Sequence, residues 1–310
     1  MFPSVLTAIL FAGSIVCATQ SARILGGSEA NFWRLATAII FLALWAHLFG
    51  GGLGGPSFPL FLTSGIIGVG SDVFLFQSLP RIGSRLSTLL LQCLSVVFAS
   101  ALEWVWLGNK LTTRQLEACV IILAGVALAL APSKHLNIKR ATLIVGICFA
   151  TVAALGNAFG AVLSRLAYSV AEKNHQNVDG GTAAYQRLIG GLFVGGVCLL
   201  IVKRREIAAQ WQNPSAPRWP QPEKWKRAWP WVIANGFAGQ TLGVTCYQWA
   251  LRTTKTGVVL AIVATTPLIV IPFAHYWEGE RVHRRALIGG LIAVAGVALL
   301  ALEKFGIGLK

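Results

Sequence analysis

Acidic residues are scarce in this chain: 11 Asp and Glu stand against 26 Lys and Arg over 310 residues. Charge of either sign is also sparse, at 12% of the sequence, about half of the roughly 25% found in soluble domains. With 55% of the residues hydrophobic, there is too little charge to coat a water-soluble globule. That excludes the two soluble domains the length would otherwise allow. No CxxC pair occurs. The cysteines Cys17, Cys93, Cys119, Cys148, Cys198 and Cys246 each stand alone in an apolar stretch, which favours small buried hydrophobes over disulfides or a metal site. Also missing is a Gly-rich loop ending in Gly-Lys-Ser/Thr, so the chain is not expected to hydrolyse ATP.

What the sequence has instead is long apolar runs without a polar face, such as 120–131 and 287–302. A helix apolar all round belongs in a large core or in a bilayer. About 20 residues cross ~30 Å of hydrocarbon at 1.5 Å per residue. Ten such spans follow along the chain: 3–22, 31–49, 58–79, 86–107, 114–131, 141–168, 183–202, 229–251, 257–277 and 286–303. The first has no basic stretch before it and exceeds a signal-peptide core in length, so it reads as a retained span. The formal charge of +15 comes mostly from Lys and Arg in the gaps between spans. It does not form the basic water-facing patch that would bind nucleic acid. The longest gap, 203–227, mixes basic residues with prolines and Trp211, Trp219 and Trp225. That mixture suits the headgroup layer and predicts interfacial helix fragments.

The chain repeats itself. A shift of 171 residues superimposes Ala124-Gly125-Val126-Ala127-Leu128 on Ala295-Gly296-Val297-Ala298-Leu299. The same shift pairs Gly65 with Gly236, Gly68 with Gly239, Trp106 with Trp277 and Gly108 with Gly279. Earlier in the chain the shift is 153, matching Phe32-x-Arg34-Leu35 to Tyr185-x-Arg187-Leu188. These offsets divide the chain into five-span halves at 1–132 and 133–310. Five is odd, so the second half enters the membrane from the opposite side. The expected fold class is therefore an all-α integral membrane protein, ten transmembrane helices in two inverted five-helix repeats, with a site near the midplane between them. Ala118/Gly289 and Gly125/Gly296 are expected to form the packing seam.

On these motifs, together with Trp277-Glu278-Gly279-Glu280-Arg281 after the ninth span, the sequence resembles the ten-helix EamA-type proteins of the drug/metabolite transporter superfamily. The resemblance covers essentially the whole chain, with one departure: the first turn reads Gly108-Asn109-Lys110 where the family usually has Gly-Glu-Arg. It implies a solute carrier, commonly an exporter of amino acids or other small metabolites, with a cavity lined by spans 1, 3, 4, 6, 8 and 9. It also implies cytoplasmic termini. The positive charges favour the reverse, with nine Lys/Arg on the side of the termini and seventeen opposite, so the orientation stays open.

Asp72 stands out among the acids. It lies about 14 residues, roughly 21 Å, into the third span, where an ionisable group is costly and usually faces a cavity. It continues a stripe of Gly65, Gly68, Asp72 and Phe76, which the second half repeats as Gly236, Gly239, Gly243 and Tyr247. A carboxylate where the repeat has glycine points to substrate or proton binding; a structural acid bonded to Ser71 or the fourth span is the other reading. Arg34 and Arg187, near the starts of spans 2 and 7, read first as snorkelling to the headgroups and second as gating or anchoring groups. Gln92, Asn157, Gln240, Tyr247, Gln248 and Thr266 are further candidates for substrate or proton binding. The amides among them serve equally as interhelical glue. Thr265-Thr266-Pro267 with Pro272 predicts a kink in span 9.

The reading is a secondary transporter of a small polar metabolite such as an amino acid, working by alternating access. Its partners are a small-molecule substrate, the lipid bilayer and a coupling proton, with no cofactor and no metal, as a monomer or weak homo-oligomer. The alternatives are a lipophilic-cation exporter of the same superfamily and, from another class, an intramembrane enzyme acting on lipid-linked substrates.

Overall fold

The structure, a computed structural model, describes residues 2–107, 112–130, 139–212, 221–253, 259, 262–279 and 284–304. Every regular element among them is helical. The Gly108-Asn109-Lys110 turn, the start of span 9 and Arg281 lie outside the described residues. The helices are α1 (Phe2–Leu25), α2 (Gly27–Leu48), α3 (Phe58–Ser64), α4 (Asp72–Leu107), α5 (Thr113–Leu130), α6 (Arg140–Lys173) and α7 (Gly180–Gln212). They continue as α8 (Pro222–Asn235), α9 (Val244–Thr253), α10 (Thr266–Glu278) and α11 (Arg284–Lys304). Five helical stretches are long and apolar enough to cross a membrane: Phe2–Leu25, Gly27–Leu48, Phe58–Leu102, Arg140–Lys173 and Gly180–Ala208. In hydrocarbon a helix satisfies its own backbone, which is why the described residues of so apolar a chain adopt no other regular structure.

Glycines shape the breaks. Spans 3 and 4 meet in α4 at Gly83, whose φ of 78° and ψ of 169° only glycine adopts readily. α10 stops at Gly279 in the left-handed conformation, its N–H bonded to Ala274 O. The ninth span breaks at Ala264 and Thr265, a turn between helical 262–263 and α10. Pro267 stands in the first turn of α10, where a missing N–H costs nothing, and Pro272 lies inside that helix.

The repeat is visible in how helices touch. Two π-helical stretches, Gly65–Val69 and Gly236–Gly243, open at repeat-related glycines. A Cβ on Gly65 would collide with the Arg187 carbonyl oxygen, and one on Gly236 would stand 2.8 Å from the Arg34 carbonyl oxygen. Each half's glycine thus admits the backbone of the other half's arginine. The Ser14 hydroxyl of α1 bonds Asn235 Oδ1 at 2.6 Å, while Ser64, the repeat partner of Asn235, bonds Gly160 O of α6 at 2.7 Å. The α5–α11 seam has the same exchanged character. A Cβ on Gly125 would stand 2.7 Å from Gly289 O and also collide with Ala293, and one on Gly296 would stand 2.8 Å from Ile122 Cγ1. Ala293 and Ile122 are themselves related by the 171-residue shift.

The gap 203–227 is helical where it is described. α7 runs on through Gln212 and α8 begins at Pro222, so most of the segment extends the spans as helix; 213–220 lie outside the described residues. Trp225 packs on Trp33 of α2 with ring centroids 5.0 Å apart. Lys203 pairs with Glu29 at 3.5 Å and Glu206 at 2.9 Å. Aromatic packing and charge tie this segment to α2.

α7 begins with a side-chain cap. Asp179 Oδ1 accepts from the Gly181 and Thr182 backbone N–H groups at 2.8 and 3.1 Å and from Trp45 Nε1 at 2.9 Å. Its other oxygen accepts from the Thr182 hydroxyl. Burial pushes the carboxyl's pKa up, but these hydrogen bonds together outweigh it and hold it below the usual value. Because the folded value lies below the unfolded one, near 4, the stabilisation is present above that pH. It is lost as pH falls through the folded value.

Three variants test this packing and the cap. Gly125→Leu should lower stability by about 1–3 kcal/mol through overpacking, read as a fall in detergent melting temperature. Gly13→Ala, where a Cβ meets nothing within 4 Å, should not lower it. Asp179→Ala should cost at most about 1 kcal/mol at neutral pH, since the capping group is half-buried and partly screened. The gap in melting temperature from wild type should close as pH is lowered below about 4.

Candidate functional site

Six of the polar candidates and both arginines border one cavity of about 120 Å³. It is lined from α1, the Gly65–Val69 stretch, α4, α6, the Gly236–Gly243 stretch, α9 and α10, with Arg34 and Arg187 reaching in from α2 and α7. These are the spans implied by the resemblance, plus the two arginine helices. Asp72, Gln92, Asn157, Gln240, Tyr247 and Thr266 all line it.

Arg34 does not snorkel. It is 4% exposed, and its Nη2 donates to Asp72 Oδ2 at 2.6 Å. Nε and Nη2 also donate to Asn31 Oδ1 at 3.1 and 2.8 Å, and the guanidinium lies 4.5 Å over the Phe76 ring. The partner of Asp72 is therefore this arginine of α2, neither Ser71 nor a residue of the fourth span. Ser71 instead donates to Gly68 O at 2.7 Å. A side chain held by a carboxylate, an amide and a ring at once is turned inward and does not extend to the headgroups. Across the cavity, Gln240 Nε2 reaches the same Asp72 oxygen at 3.4 Å. Asp72 thus receives one donor from each half.

Arg187 does not snorkel either, at 5% exposure. It borders the cavity beside Gly68, where a Cβ would stand 3.2 Å from its Nη2. Asn157 donates to Ser95 Oγ at 3.1 Å, which fixes its amide on α6.

Gln248 is the exception. Its side chain is fully buried away from the cavity, and neither amide atom finds a hydrogen-bond partner among the described residues. Tyr247 takes the cavity-facing position, and Gln248 lies about 100° further round the helix. There α9 packs on α6 and α7: the Tyr168 hydroxyl donates to Gln248 O at 3.4 Å, and a Cβ on Gly180 would stand 2.6 Å from Thr245 O. Sequence reasoning missed Asn31 and Ser14. Asn31 stands one turn before Arg34, the spacing at which an amide meets a guanidinium, and that signal could have found it.

The helices thus enclose a small cavity with a buried ion pair and converging amides. The EamA-like transporter family matches residues 2–131 and 144–302. The chain belongs to that family; it is a multi-pass membrane transporter and not an enzyme. It is 29% identical over 99 residues to the probable 4-amino-4-deoxy-L-arabinose-phosphoundecaprenol flippase subunit ArnE of Pseudomonas paraeruginosa (strain DSM 24068 / PA7), covering 32% of this chain and 82% of that protein. A solved crystal structure of another protein superposes with a TM-score of 0.60 over 98% of this chain and 97% of its own, at 18% identity. At that identity the likeness shows the fold alone.

The ion pair yields a double-mutant expectation. Asp72→Asn leaves Arg34 buried without its carboxylate, and Arg34→Gln strands Asp72. Each should cost about 3–5 kcal/mol. Arg34→Gln/Asp72→Asn should cost clearly less than their sum, read from melting temperatures of the four proteins.

Proposed function

We propose that this chain is a secondary transporter, working as an exporter of a small polar metabolite such as an amino acid. Ten spans in two inverted five-helix halves, 1–132 and 133–310, rock about the central cavity to give alternating access. The observation that carries this reading is the set of contacts around Asp72. Arg34 of the first half and Gln240 of the second share one carboxylate oxygen inside the cavity, so motion between the halves works directly on the site. The exchanged contacts of Gly65 with Arg187 and Gly236 with Arg34 support a two-fold relation between the halves. Gln92, Asn157, Tyr247 and Thr266 supply hydrogen bonds to the solute. Asp72 is the group on which a coupling proton acts: protonating it weakens its hold on Arg34 and relaxes the tie to Gln240.

A lipophilic-cation exporter fits less well, because two guanidiniums and one carboxylate line the cavity and leave it net positive. The ArnE relative handles a lipid-linked amino sugar according to its name, so a lipid-linked solute is the second reading.

Reconstituted protein should exchange labelled L-amino acids across liposome membranes by counterflow, and an imposed pH gradient should change the rate. The Arg34→Gln/Asp72→Asn protein, which keeps the cavity's net charge, should insert and lose the pH response. Counterflow that equals that of empty liposomes for every amino acid would sink the amino-acid reading, and an unchanged pH response in the double variant would remove Asp72 from coupling.

A further inference from the structure

The two halves bury one repeat-related arginine each, and they treat them differently. Arg34 has Asn31, Asp72 and Phe76 around its guanidinium. At the repeat offsets, the corresponding residues beside Arg187 are Ala184, Gly243 and Tyr247. Both hydrogen-bond acceptors have therefore been replaced by residues with no polar side chain, and the ring has gained a hydroxyl. The outcome is visible in the structure. Among the described residues Arg187 has no ion-pair partner, its Nε is buried without an acceptor, and its guanidinium borders the cavity together with Tyr247. Asp72 shares the cavity but is committed to Arg34. Phe11 lies against Gly243, where a Cβ would stand 2.8 Å from its ring, so that wall is apolar and an acceptor has to come from the cavity itself.

A buried guanidinium without a counter-charge is strongly unfavourable, and a planar fork of N–H donors matches a carboxylate or phosphate. We infer that Arg187, with the Tyr247 hydroxyl as a second donor, is an oxyanion subsite: the transported solute supplies the carboxylate or phosphate that Gly243 and Ala184 no longer provide. The bound solute then completes in the second half the pairing that Asp72, a residue of the chain itself, makes in the first. This rests on the transport reading above and deepens it by naming the solute's charged group.

The test uses the full chain in nanodiscs and three probes: a mixture of L-amino acids, the same mixture as methyl esters, and a short polyprenyl phosphate. The amino acids or the polyprenyl phosphate should raise the wild-type melting temperature by about 3 °C or more at saturation. The esters, which keep the amine and lose the carboxylate, should not. The probe that acts identifies the source, a soluble carboxylate or a lipid phosphate. Arg187→Gln should be at least as stable as wild type without probe, because it removes an unpaired charge, and should bind the active probe about tenfold to a hundredfold more weakly. Arg187→Lys, which keeps the charge but not the fork, should retain a reduced shift. Equal stabilisation by the esters, a full shift in Arg187→Gln, no shift from either anionic probe, or a less stable unliganded Arg187→Gln would each overturn the subsite. Counterflow separates the two readings. Undiminished transport in Arg187→Gln overturns the subsite and leaves the carrier, whereas an Arg187-dependent shift without counterflow of the active probe overturns the carrier and leaves the subsite.

Discussion

A guanidinium taken out of water needs a counter-charge, and the centre of this protein is organised around that need. Arg34 is satisfied by Asp72, and the pair fixes α2 against α4 inside the membrane-spanning core. A lone carboxylate at that depth would be neutralised or excluded. Paired with Arg34, it also holds Gln240 of the opposite half within reach. The family membership and the polar cavity give this ion pair its setting, and the cavity's hydrogen-bonding groups are arranged around it.

Such a pair requires helices to approach more closely than large side chains permit. Lipid gives helices no hydrophobic reason to associate, so small residues and close backbone contact do that work. The glycines at 65 and 236 admit the carbonyls of the two arginines and so set how deeply each guanidinium enters. Those at 125, 289 and 296 perform the same task in the α5–α11 seam. One family of small residues therefore serves both packing and the site: any side chain at 65 would push Arg187 out of the cavity wall.

Much of this was legible in the sequence. Apolar runs gave the helices, the 171- and 153-residue shifts gave the relation between halves, and a carboxylate facing a repeat glycine singled out Asp72. The arginines were harder. Their places near the predicted starts of spans 2 and 7 favoured snorkelling, since one-dimensional position does not report that α2 starts at Gly27 and α7 at Gly180. Both helices begin earlier than apolar runs alone predict, which carries the arginines further in. Gln248 failed for a related reason. Helical spacing places it near Gln240, but only the packing of α9 on α6 and α7 decides which of two adjacent residues faces the cavity.

What the sequence determined by itself is therefore the class and the plan: a bilayer-embedded, all-helical chain in two related halves, because hydrocarbon admits few alternatives and repetition survives as constant offsets. What only the tertiary structure decided is pairing. That Asp72 belongs to Arg34, that Trp225 packs on Trp33, and that Arg187 has no such partner among the described residues all depend on residues from different helices meeting in space. Charge compensation acts over a few ångströms, and linear sequence does not encode those distances directly.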